Sequence, residues 1–133
     1  MRETILLYGF DDGERKRLVT KALMPLGFRL KGVEPKEYLQ PVGYLAGVKE
    51  VLPVDAEYDG EAFESEMMIL SVQSMSRVDQ VILALRKGGV GRINYKAVIT
   101  PTNKDWDSVT LYKEISREHA VMSGQDAAKK AGE

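Results

Sequence analysis

Thr100, Thr102, Asn103, Lys104 and Trp106 crowd into one turn of the stretch KAVITPTNKDWDSVTLYKEI, between an apolar strand and a helix. Hydroxyls, an amide and an ammonium at a helix start are the groups that hold an oxyanion or a phosphate. The first N–H groups of a helix lack intrahelical partners, and its dipole favours negative charge there. The window Arg86–Lys104 adds to this, with five basic residues (Arg86, Lys87, Arg92, Lys96, Lys104) and no acid. Asp105 and Asp107 oppose it, because carboxylates repel an anion and cap helices themselves. With Asp105 as N-cap, Pro101 stiffening the approach and Trp106 packing back on the sheet, the same residues make a capping loop, the commoner use of such a cluster.

Other chemistries find little support. The chain of 133 residues has one histidine, His119, and no cysteine, which excludes disulfides, thiolate catalysis and a typical zinc site. No serine lies in a nucleophile-elbow pattern, and the carboxylates are too scattered to nominate an acid–base pair. His119 flanks the apolar face of the last helix and reads as a packing or helix-end residue. The string KGGVG follows a helix and opens a strand, the reverse of a dinucleotide fingerprint, and reads as a helix C-cap turn. No catalytic residue, metal or cofactor is nominated. A net charge of −1 lacks the basic field of a nucleic-acid protein, and RINYKAV offers one aromatic for stacking, so nucleic acid is not the expected partner. No apolar run has membrane-spanning length, and MRETILLYGFDD reads as a strand with no cleavage site. A cytoplasmic protein is expected.

The elements that must position the loop follow from periodicity. Thr4–Phe10 is a continuous apolar run. Asp11 with Glu14 marks a helix start, and Val19, Ala22, Leu23 and Leu26 share one helical face until Pro25 and Gly27 end it. FRLKGVE then alternates as a half-buried strand. The second half repeats the plan: an apolar strand Glu66–Val72, a capping box at Ser76 and Asp79, a helical face of Val78, Val81, Ile82 and Leu85, and an alternating strand RINYKAVIT. Glu3 to Glu66 and Arg29 to Arg92 are both 63 positions apart. The matching order of element types points to an internal duplication, 3–47 and 66–122. Each half is followed by a helical piece, QPVGYLAG and DWDSVTLYKEISREHAVM. The linker 55–66, with six acids and no base, reads as a solvated loop, and the polar tail 123–133 as disordered.

Within a single domain, 1–122, two β-α-β halves predict a ferredoxin-like α+β plait. It has a four-stranded antiparallel sheet with the apolar strands central and the alternating strands at the edges. The alternative is a small doubly wound α/β sheet. Central strands that are apolar on both faces imply that both faces are covered, by the extra helical pieces or by a second copy. A homodimer is expected on that ground.

The residues Lys96, Thr100, Thr102, Asn103 and Trp106, supported by Ala97 and Val98, resemble the signature region of a bacterial family known only as a domain of unknown function. The resemblance covers roughly Glu66–His119 and implies no catalytic or binding residue. The leading functional expectation is a non-enzymatic binding or regulatory module that self-associates. The alternative is an anion or small-molecule binding protein, or an enzyme, using the Thr100–Trp106 loop.

Overall fold

The computed structural model describes residues 3–91 and 93–118. The tail 123–133 and His119 lie outside the described residues. Strand β1 (Thr4–Tyr8) leads into helix α1 (Gly13–Leu23), a 3-10 turn Met24–Leu26, and strand β2 (Arg29–Gly32). A second 3-10 turn, Pro35–Glu37, and a short helix α2 (Val42–Leu45) complete the first half. Strand β3 (Met67–Ser71), helix α3 (Met75–Lys87), strand β4 (Tyr95–Val98) and a helix α4 over 108–118 form the second.

The sheet order is β2-β1-β3-β4, so the two apolar runs are central and the alternating strands are edges, as their burial pattern predicts. The fold is α+β, with four strands and four helices among the described residues, and its layout is compatible with a ferredoxin-like plait. The pairing departs from a fully antiparallel sheet. β1 and β3 are antiparallel, with Leu6 opposite Ile69, whereas β1–β2 and β3–β4 are parallel. Each helix returns the chain beside the strand it left. Residues 33–66 separate β2 from β3, so no tight turn forces those two together.

Alternation along the central strands sends side chains to both faces. Ile5, Leu7, Met68 and Leu70 pack with Val19 and Leu23 of α1 and Val81 and Leu85 of α3. Leu6, Tyr8, Met67 and Ile69 pack on the opposite face with Tyr38, Val42, Leu45, Leu111 and Ile115. The linker joins this second layer. Its acids up to Glu64 stay in water, but Phe63 stacks between Tyr38 and Tyr112, 4.0 Å from each ring, and Tyr58 leans on Tyr38. Among the described residues both sheet faces are therefore covered within one chain, by α1 and α3 on one side and by α2, α4 and the linker on the other.

Three helix starts differ from their sequence signals. The α1 cap is Asp12, whose carboxylate accepts from Glu14 N, not Asp11. Helix α3 starts at Met75, one residue before the proposed capping box. Its N-cap Ser74 makes no capping bond, and the Ser74 and Ser76 hydroxyls bond each other. Helix α4 begins at 108, two residues later than an Asp105 cap requires. The KGGVG turn is a helix ending: Gly88 N donates to Ala84 O, Val90 N to Leu85 O, and Gly89 takes φ 80°.

Two ion pairs join the halves reciprocally. Arg15 of α1 grips Glu66, just before β3, and donates to Val90 O after α3. Arg77 of α3 grips Glu3, just before β1, and donates to Leu26 O after α1.

Candidate functional site

The loop after β4 spends its polar groups on itself. Thr100 N donates to Asn103 Oδ1 and Asn103 N to Thr100 Oγ1, a reciprocal pair at 2.8 and 3.1 Å. Asn103 Nδ2 reaches back to Val98 O, tying the loop to its strand. Lys104 Nζ lies 3.4 Å from Asp105 Oδ2. Thr102 is exposed, and the half-buried Trp106 packs into the second apolar layer. Asp107 caps α4, accepting from Thr110 N at 2.7 Å. The cap expected of Asp105 thus belongs to Asp107, because the turn over 101–105 consumes two more residues before the helix begins. Asp107→Ala should cost about 1 kcal/mol, and Asp105→Ala, in an exposed pair, close to nothing. Urea denaturation of the two variants checks this.

The loop backbone faces the first half of the chain. Val42 N donates to Trp106 O and Gly43 N to Lys104 O, both at 2.8 Å, and Ser108 N donates to Tyr38 O at 2.9 Å. Pro41 and Asp107 form an isolated antiparallel bridge. Beneath this seam the Tyr8 and Ser108 hydroxyls share a buried 2.6 Å bond. Burial pushes the Tyr8 phenol well above the ordinary tyrosine value of 10.0, with the Ser108 bond acting the other way, and burial also raises Tyr38. Both stay neutral in the fold where unfolded tyrosines ionise. Their stabilisation is complete below about pH 10 and is lost as pH rises past that value. Melting temperatures should fall across that range and fall less for Tyr8→Phe; an identical profile in the two proteins would contradict this.

The sequence signals drew attention away from the opposite surface. On the outer side of α1 and α3, Leu18, Lys21, Ala22, Pro25, Leu26, Ala84, Lys87 and Gly88 line a groove of about 520 Å³. Its floor is apolar, its rim carries two lysines, and no acid lines it. A contiguous shallow depression along α1 adds Lys16, Arg17 and Met24. Met24 in that depression is 67% exposed, and Leu83 of α3 is 48% exposed. The clue in the sequence was Leu18: an apolar residue next to Val19, off the buried face, amid Arg15, Lys16, Arg17 and Lys21. Lys96 stands apart, lining a smaller cleft with Ile82, Leu85, Arg86, Gly91 and Ile93, where its ammonium donates to Ile93 O.

Among the described residues no group of three or more His, Cys, Asp or Glu side chains is placed to hold a metal ion. No helix among them is long and apolar enough to cross a membrane. No curated protein and no solved structure matches the chain. Residues 66–122, from β3 through α4, match the family model described as Domain of unknown function (DUF3783), in agreement with a resemblance to a domain of unknown function over roughly Glu66–His119.

Proposed function

We propose that this protein is a non-enzymatic cytoplasmic binding module that meets its partner with the solvent face of α1 and α3, and that its two halves derive from one duplicated unit. The observation that carries the binding role is the lysine-rimmed apolar groove between the two helices, with the exposed Met24 in the depression beside it. Apolar surface of that kind, rimmed by charge, marks contact sites on soluble proteins. The reciprocal grips of Arg15 on Glu66 and Arg77 on Glu3 support the duplication.

The groove selects by charge as well as by shape. Cations around an apolar floor favour an acidic segment with one or two aliphatic side chains. Selection of a random peptide library on the immobilised protein should therefore enrich acidic, aliphatic sequences, and Lys21→Glu/Lys87→Glu should abolish their capture. No enrichment, or enrichment indifferent to that variant, would sink the reading.

The Thr100–Trp106 loop enters this reading as a latch between the halves. Its competitor is a small anionic ligand held by Thr100, Thr102, Asn103, Lys104 and Trp106. The latch role favours no rise in melting temperature with phosphate or sulfate, whereas a rise removed by Lys104→Ala would favour the ligand.

A further inference from the structure

The chain carries, on its other side, an exposed segment that combines aliphatic side chains with acids. After α2, the run Leu52-Pro53-Val54-Asp55-Ala56-Glu57 crosses the second layer with Leu52 74% and Val54 45% exposed. Gln40 clamps the backbone of Val54, next to the acids. Its Nε2 donates to Val54 O at 2.7 Å and its Oε1 accepts from Val54 N at 2.9 Å. Tyr58, packed on Tyr38, anchors the far end. Asp55, Glu57 and Asp59 are exposed, and among the described residues they make no ion pair. Among the described residues Lys16, Arg17, Lys21 and Lys87, along the groove and its extension, make none either.

Resting on the assignment of the α1/α3 face as the contact surface, we propose that its occupant is residues 52–59 of a second copy of this chain. Leu52 and Val54 enter the apolar floor, and Asp55, Glu57 and Asp59 meet the lysine rim. A peptide of this chemistry is present on every copy, at the concentration of the protein itself. Nucleic acid or an anionic membrane would use the lysines but leave the apolar floor and the outward Leu52 unexplained. Because Gln40 and Tyr58 pin the segment to the second layer, a molecule does not fill its own groove. Groove and segment lie on opposite sheet faces, so the contact is head-to-tail and does not close as a two-fold dimer.

Two variants and their mixture test this. The full chain should sediment as a series of species whose average size grows with concentration and shrinks at high salt, where surface charges are screened. Lys21→Glu/Lys87→Glu destroys the groove and keeps the segment; Leu52→Ser/Val54→Ser does the reverse. Each alone should be monomeric, with association weakened on the order of tenfold or more. Mixed, they should form a one-to-one complex and stop, since one molecule supplies the only intact groove and the other the only intact segment. A wild type that stays monomeric, a single dimer unaffected by either variant, or a mixture that stays monomeric each overturns the proposal. If the wild type is monomeric but selected peptides still bind the groove, the occupant is wrong and the contact surface stands; if neither binds, both fall.

Discussion

Replacing Gly43 by alanine is expected to lower the melting temperature on the order of 10 °C, a loss of about 2–3 kcal/mol. Gly43 lies in α2, where the first half meets the loop after β4. A Cβ built there would sit 2.7 Å from Lys104 O and 2.9 Å from Val51 Cγ2. The nearer atom is backbone, and that same carbonyl accepts the Gly43 N–H at 2.8 Å. It cannot retreat without breaking the bond that docks the helix. The adjacent Val42 N to Trp106 O bond would be pulled with it. Gly13→Ala is the control, since nothing lies within 4 Å of a Cβ there. Equal melting temperatures for the two variants would mean that the seam yields, and that the loop is not a latch.

Arg77→Ala is expected to cost about 2–3 kcal/mol, because it removes a charged group bonded on several sides. Its guanidinium donates to Glu3 at 2.8 Å, to Leu26 O at 2.6 Å and to Gln80 at 2.6 Å, and lies 4.5 Å over the Phe28 ring. Truncation leaves the Glu3 side chain, only 15% exposed, with the Gln73 N–H as its remaining hydrogen-bond donor. Arg77→Lys should recover little, since an ammonium cannot reproduce the planar fork. The reciprocal Arg15→Ala should cost less, because its partner Glu66 is 30% exposed and water takes over more of the carboxylate. Urea denaturation should order the variants Arg77→Ala, Arg15→Ala, wild type in rising stability. The reverse order for the two arginines would contradict burial as the deciding factor.

Much of the frame was legible from residue patterns. TILLY and MMILS announce central strands because, apart from Thr4 and Ser71 at their ends, they are apolar without alternation, and such a strand needs cover on both sides. The pairing of the strands was not legible. Placing β2 beside β1 depends on how a helix and a long, irregular connection pack, and neither leaves a local pattern. The cover of the second face was half legible. Val42 and Leu45, and Leu111 and Ile115, follow from helical spacing, whereas Phe63 was hidden among Glu61, Glu64 and Glu66. Composition describes the solvated side of that linker, and one ring between Tyr38 and Tyr112 decides where it runs.

The loop shows a related limit. Thr100, Asn103 and Asp107 are the right types for caps and turns, but which acid caps α4 depends on how many residues the preceding turn consumes. Asn103 is bonded to Thr100 and to Val98 O, so the cluster closes on itself before the helix starts. The groove was obscured for the opposite reason. Leu18, Met24 and Leu83 depart from the amphipathic pattern that defines the buried faces of α1 and α3, and a departure in sequence does not say what lies beside it.

Chemical-shift mapping with an acidic aliphatic peptide from the library selection tests the contact surface most directly. Titration should move the amide signals of Leu18, Lys21, Ala22, Ala84 and Lys87 and leave those of Thr100–Trp106 in place. Shifts concentrated at Thr100, Asn103, Lys104 and Trp106, with α1 and α3 silent, would make the loop the binding site and contradict the assignment of the α1/α3 face.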